Sequence, residues 1–157
     1  MILRNVIFAS LFFCSCAGSI GAGTLSGWDN VIFPTSKEDV QKAIAELYKN
    51  NPKYRLNNKW KSQAEYWLKN FSYLETVIFY FSEEPEEMYY VTFVEPGTSD
   101  NPKCTGLAIR GVENGVGHWK EYQEYSDIDK IRIDERFRRE IVSKIERYTK
   151  TKSYKEE

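Results

Sequence analysis

Three cysteines and one histidine are the residues of this sequence best suited to nucleophilic or metal chemistry. Cys104 and His118 would act as nucleophile and base only if their side chains met. They begin two consecutive predicted strands joined by the turn ENGVG, and antiparallel pairing puts the starts of such strands at opposite ends. We therefore interpret Cys104 as a small buried residue and His118 as a surface residue near a turn. With no ligand spacing for zinc either, we expect no metal or other cofactor.

Acidic residues form two clusters, SEEPEE at 82–87 and DIDKIRIDE at 127–135. A calcium loop needs oxygen ligands at alternating positions and a glycine at its sharp turn. The second cluster has no glycine, and Ile131 stands where a third alternating acid is required. We interpret both clusters as structural, and the first as a solvated hairpin tip. The sequence also has no G-x-S-x-G, glycine-rich phosphate loop or H-E-x-x-H motif.

The first residues of the chain have the three parts of a secretory signal peptide. Arg4 precedes the uncharged apolar run VIFASLFF at 6–13, and small residues continue from there to Gly23. The run is shorter than the roughly 20 apolar residues that a membrane-spanning helix needs. We therefore predict export of the protein from the cytoplasm.

The segment around Cys16 resembles the signal of bacterial lipoproteins, in which a small residue precedes the lipidated cysteine. Ser15 fits that position, whereas Phe13 stands where leucine is usual. Cys14 does not fit, because Phe13 before it is too large. The resemblance implies that Cys16 begins the mature chain, carries the lipids and anchors the protein to the membrane. Since Ala17 follows, the resemblance implies an envelope protein of the outer membrane, facing the periplasm.

Cleavage by an ordinary signal peptidase, at AGS (17–19) or GAG (21–23), is the open alternative and would give a secreted or periplasmic protein. If Cys16 is lipidated and Cys14 removed, Cys104 is the only thiol left, and no disulfide is expected. Because 22 basic residues nearly balance 23 acidic ones, we expect no nucleic-acid partner.

The predicted organisation is a signal peptide (1–15), a lipidated cysteine with a flexible tether (16–27), one α+β domain (28–149) and a polar tail (150–157). Apolar residues at helical spacing predict two helices before the sheet. The first is capped by Thr35 or Ser36 and ends at Asn51. An aromatic stripe marks the second and is interpreted as core: Trp60, Ala64, Trp67, Leu68 and Phe71.

β-Branched and aromatic residues predict four consecutive strands, in LETVIFYF, MYYVTFV, CTGLAIRGV and HWKEYQEY. Short connections between them favour an antiparallel meander. One more strand is expected near Val31, and a C-terminal helix from about Asp134. The predicted fold is therefore an α+β domain, with two helices before a meander of about four strands and one helix after it.

One face of the predicted sheet mixes tyrosine, threonine and arginine with aliphatic residues, a composition that protein interfaces favour. We name Tyr80, Tyr90, Thr92 and Arg110, which mark it, the mixed face. Two alternatives are open: the mixed face is a binding surface for a partner or ligand, or the C-terminal helix covers it.

The sequence contains no evident set of catalytic residues. We therefore expect a membrane-anchored envelope lipoprotein with a non-catalytic domain that binds an envelope protein or a small ligand. An inhibitor or immunity-type protein acting on a secreted enzyme, and a small hydrolase with an unrecognised site, are the alternatives.

Overall fold

The computed structural model describes residues 27–96, 103–115 and 118–156. The predicted signal peptide and the lipidation site at Cys16 lie outside the described residues. The described chain is α+β, as predicted, with one antiparallel sheet of five strands. Its strands and helices follow one another in this order: β1 (Val31–Phe33), α1 (Lys37–Asn50), α2 (Lys61–Asn70), β2 (Thr76–Phe81), β3 (Glu87–Val94), β4 (Thr105–Glu113), α3 (Asp127–Phe137), α4 (Ser143–Thr149) and β5 (Tyr154–Lys155).

Helix α1 begins and ends close to the predicted positions. The Ser36 hydroxyl caps it by accepting a hydrogen bond from the backbone N–H of Asp39, at 3.2 Å. Ser36, one of the two predicted caps, therefore caps the helix. Four apolar residues at helical spacing form the buried face of the helix: Val40, Ala43, Ile44 and Leu47.

The order of strands in the sheet is β2-β3-β4-β1-β5. The prediction of a fourth consecutive strand from HWKEYQEY is wrong. Only Lys120 of this segment pairs with β4, in an isolated bridge to Val112, and residues 122–124 form a 3-10 turn. The physical reason is that β1 and the residues before it lie along the same edge of β4, with Val31 opposite Leu107 and Gly27 against the Ile109 carbonyl.

The C-terminal helix begins earlier than predicted, at Asp127, where the Ser126 hydroxyl caps it. The DIDKIRIDE cluster therefore lies in the first turns of α3, where acidic side chains interact favourably with the helix dipole. A π-helical segment, Arg138–Val142, joins α3 to α4. The predicted polar tail is partly structured, because Tyr154 and Lys155 pair with β1 as strand β5.

Helices pack on both faces of the sheet. Helices α1, α3 and α4 form the main core with one face. Helix α2 packs on the other face, where Trp60, Ala64 and Trp67 are buried. The α1–α2 linker, residues 51–60, passes from one face to the other beside the edge strand β2.

Candidate functional site

The structure brings the four residues of the mixed face together. Tyr80, Tyr90 and Thr92 are buried, with 7%, 0% and 0% of their surface exposed. Arg110 is half-buried, and its Nε donates a hydrogen bond to Thr92 Oγ1 at 3.0 Å. Burial lowers the pKa of Arg110.

Helix α2 covers the mixed face, so both alternatives drawn from the sequence need correction. The Trp67 ring stacks on Tyr90, with the ring centroids 4.2 Å apart and the planes 13° from parallel. Trp119 contacts the edge of Trp67 from the other side, at 4.8 Å. The C-terminal helix cannot provide this cover, because it packs on the opposite face of the sheet. The aromatic stripe of α2 is core at Trp60 and Trp67, as interpreted.

A β-bulge in β4 lies beside the mixed face. Tyr90 pairs with Gly111, but the next residue, Val91, pairs with Ile109, so Arg110 is the extra residue of β4 at this point. Thr92 pairs with Ala108, two residues before Arg110, so alternation along β4 puts Arg110 on the same, α2-facing side of the sheet as Thr92.

Three buried side-chain oxygens have no hydrogen-bond partner among the described residues: the Tyr90 hydroxyl, Glu113 Oε1 and Asn114 Oδ1. Burial raises the pKa of Glu113, although His118 partly opposes this shift. His118 itself is exposed, with Nε2 3.9 Å from Glu124 Oε1.

Cys104 and His118 are not brought together. They lie beyond opposite ends of β4, whose nine residues separate them by roughly 30 Å of extended chain. Cys104 is half-buried rather than buried and forms no disulfide in the described part of the chain, consistent with the expectation that none exists.

The SEEPEE turn is less solvated than predicted, because Glu87 is 1% exposed. Arg132 donates two hydrogen bonds to its carboxylate, at 2.9 and 2.8 Å, and Arg136 adds one at 3.2 Å. The neighbouring Glu86 accepts hydrogen bonds from Lys59, Tyr80 and Trp60, which together lower its pKa to about 2. These contacts attach the hairpin tip to α3 and to the start of α2.

An open apolar concavity lies elsewhere, beside the edge strand β2. We call it the edge groove; its volume is about 540 Å³, and α1, the α1–α2 linker, α2 and the sheet all contribute to it. Its apolar lining includes Ala45, Tyr48, Leu56, Leu68, Val77 and Phe93. Leu56 and Leu68 are 36% and 43% exposed, so part of the apolar lining of the groove is in contact with solvent.

Charged residues lie at the two ends of the edge groove. At the end near the start of α1, Glu75 is paired with Lys37 and accepts a hydrogen bond from Gln41 at 2.7 Å. At the other end, Arg55 lies over the Tyr48 ring, 5.8 Å from its centroid, and forms no ion pair with any described residue. The negative charge of Glu75 is therefore neutralised at one end of the groove, whereas Arg55 leaves a positive charge at the other end.

The hydroxyl of Tyr48 occupies part of the β2 edge. It donates a hydrogen bond to the Ile78 carbonyl at 2.7 Å. Burial, the larger influence, raises the pKa of Tyr48, while Arg55 opposes the shift. The Glu75 carbonyl faces β3 instead, since it accepts from the backbone N–H of Phe93 at 3.1 Å. Alternation along the strand then turns the backbone groups of Thr76 and Ile78 toward the groove.

Sequence reasoning missed the edge groove. The one available signal is Leu68. The sequence places it in the buried stripe of α2, but it directly follows the buried Trp67, so it lies on a different side of the helix and is 43% exposed. Arg55 and Leu56 lie in a linker, where no periodicity indicates which way they face.

Within residues 27–96, 103–115 and 118–156, no three His, Cys, Asp or Glu side chains are grouped to hold a metal ion. Among the same residues, no helix is both long and apolar enough to cross a membrane. Comparisons of the chain with protein-family models, curated proteins and solved structures give no match.

Proposed function

We propose that the protein is a membrane-anchored envelope lipoprotein whose folded domain binds a ligand in the edge groove and performs no chemistry on it. The anchor in this proposal is a lipid on Cys16, as its resemblance to lipoprotein signals implies. The edge groove replaces the mixed face as the binding site, because helix α2 covers the mixed face.

The observation that carries the binding role is the edge groove itself. Its volume of about 540 Å³ falls in the range of roughly 300–1,000 Å³ typical of small-ligand sites, and its lining is mainly apolar. Leu56 and Leu68 expose apolar surface there that a bound ligand would remove from water. Glu86 and Glu113, whose pKa values are shifted, do not line the groove. Tyr48 does line it, but burial raises the pKa of its phenol further above neutrality, so the hydroxyl stays protonated and donates to a backbone carbonyl of β2. This arrangement favours binding over catalysis.

The lipid anchor is tested by metabolic labelling with a fatty-acid probe. We expect the wild-type chain and Cys14→Ser to be labelled and to sediment with membranes. Cys16→Ser should lose the label and should be released from membranes or accumulate uncleaved. Equal labelling of Cys16→Ser, or a soluble unlabelled wild type, would refute the anchor.

The groove is tested with N-phenylnaphthylamine, a neutral apolar dye that fluoresces when it leaves water. Ala45 is exposed on α1 and lines the groove, so Ala45→Trp should fill it without disturbing the core. Ile128→Trp, at an exposed α3 position that is 81% accessible, is the matched control. We expect Ala45→Trp, and not Ile128→Trp, to weaken dye binding. The dissociation constant should rise about tenfold, because the indole ring takes apolar contact area from the dye. Unchanged binding in Ala45→Trp would refute the groove as the site.

A further inference from the structure

We infer that the ligand of the edge groove is a single-chain amphiphile with a carboxylate head, such as a free fatty acid, and that Arg55 binds the head. This inference rests on the proposed binding function. The groove supplies an apolar surface that fits one hydrocarbon chain, and a cation at one end. The first feature restricts the body of the ligand, and the second restricts the charge of its head group.

The length and volume of the groove fit one hydrocarbon chain. Gln41 and Tyr48 line it near its two ends, seven residues apart on α1. At about 1.5 Å per residue this spacing corresponds to roughly 10 Å of apolar floor. A single chain can lie along that floor between Leu56 on one side and the sheet residues Val77 and Phe93 on the other.

The charges of the groove place the head group at Arg55. Glu75 at the opposite end already has Lys37 and Gln41 as partners, so a cationic head gains little there. Arg55 has no ion-pair partner among the described residues, and its planar guanidinium matches the two oxygens of a carboxylate. An anion bound at Arg55 would be complementary in charge to the groove.

The strand edge beside the groove disfavours an extended peptide as the occupant. A peptide that adds to a sheet edge needs a row of free backbone donors and acceptors. On β2 the Ile78 carbonyl already accepts from Tyr48, and the linker residues 52–54 lie against the same strand. Only Thr76 and the Ile78 N–H then still present backbone groups of the described strand to the groove, which is fewer than an added strand would pair with. The rest of the lining is side chains, which suits a ligand that makes no backbone hydrogen bonds.

The test is competition against N-phenylnaphthylamine bound to the full-length chain. Dodecanoate and dodecyltrimethylammonium, which share one chain and differ in head charge, are titrated below their micellar concentrations. We expect dodecanoate to displace the dye from wild type at concentrations at least about fivefold lower than dodecyltrimethylammonium requires. This preference equals a difference in binding free energy of roughly 1 kcal/mol. In Arg55→Gln this preference should disappear, and in Arg55→Lys it should largely remain.

Arg147→Gln, which removes an exposed guanidinium of α4 that does not line the groove, is the control and should keep the wild-type preference. Raising the salt concentration should weaken dodecanoate and leave the dye unaffected. Equal displacement by both amphiphiles in wild type, or an unchanged preference in Arg55→Gln, would overturn the inference while dye binding in the groove still stood. Dye binding insensitive to Ala45→Trp would overturn the proposed function instead.

Discussion

Removing the hydroxyl of Tyr90 should stabilise the protein, whereas removing its ring should destabilise it strongly. Tyr90 is fully buried, its ring stacks on Trp67, and its hydroxyl has no hydrogen-bond partner within the part of the chain that the structure describes. Leaving a buried polar group unpaired costs about 1–3 kcal/mol, so Tyr90→Phe should raise the free energy of unfolding by up to about 1 kcal/mol after partial relaxation. Tyr90→Ala deletes a ring of the core and should lower it by about 3–5 kcal/mol.

The measurement is urea unfolding of wild type, Tyr90→Phe and Tyr90→Ala, followed by circular dichroism. Tyr66→Phe, at an α2 tyrosine that is 63% exposed, is the control and should change the free energy of unfolding by less than about 0.5 kcal/mol. A loss of more than about 1 kcal/mol in Tyr90→Phe would refute the reasoning, because it would mean that the hydroxyl is paired. A stable Tyr90→Ala would show that α2 does not cover this face in solution.

Two further predictions concern buried carboxylates. The folded-state pKa of Glu113 is raised above its ordinary value of 4.5, so its contribution to stability is full below about pH 4.5 and is lost as the pH rises through the folded value. Glu113→Gln should therefore raise the urea midpoint of unfolding at pH 7 and should raise it much less at pH 4. Glu135→Gln, at an exposed position of α3, is the control and should show no such difference between the two pH values. A lower midpoint of Glu113→Gln at pH 7 would contradict the prediction. Glu87→Ala removes the buried carboxylate that Arg132 and Arg136 share, leaves them with their 3.4 Å ion pairs to Asp129 and Glu140, and should lower the free energy of unfolding by about 3–5 kcal/mol. Exposed Glu83→Ala should lower it by at most about 1 kcal/mol, and equal losses in the two variants would contradict the role of burial.

Elements that depend on local pattern were predictable from the sequence. Helix α1 has a cap, a periodic apolar face and a proline after its end, and the structure forms it from Lys37 to Asn50. The β2–β3 hairpin combines two aromatic, β-branched runs with a short polar turn, and its register pairs Phe79 with Tyr89. Such signals act within about 15 residues of chain, so tertiary contacts had little opportunity to override them.

The incorrect predictions concern which segment of the chain pairs with a given edge of a β-strand. HWKEYQEY is a plausible strand in isolation, yet β1 and the residues before it lie along residues 105–109 of β4. The segment keeps only the bridge from Val112 to Lys120. Likewise, the last residues read as a charged tail, although Tyr154 pairs with Ile32 at the outer edge of β1. Non-local pairing of this kind has no periodic signal in either segment alone.

The position of the edge groove follows from the sequence of strands β2 and β3, which are apolar on both faces. In β2 and β3 both alternating sets are rich in apolar residues, as Phe79 on one face and Ile78 on the other illustrate. A sheet with two apolar faces must be covered on both sides, so two helices joined by a short linker can lie on opposite faces only if the linker passes a strand edge. In this chain the linker passes β2, where it shields one half of the edge and leaves the other half beside Leu56 and Leu68. The apolar groove is thus a direct consequence of burying both faces of one sheet with helices that are adjacent in sequence.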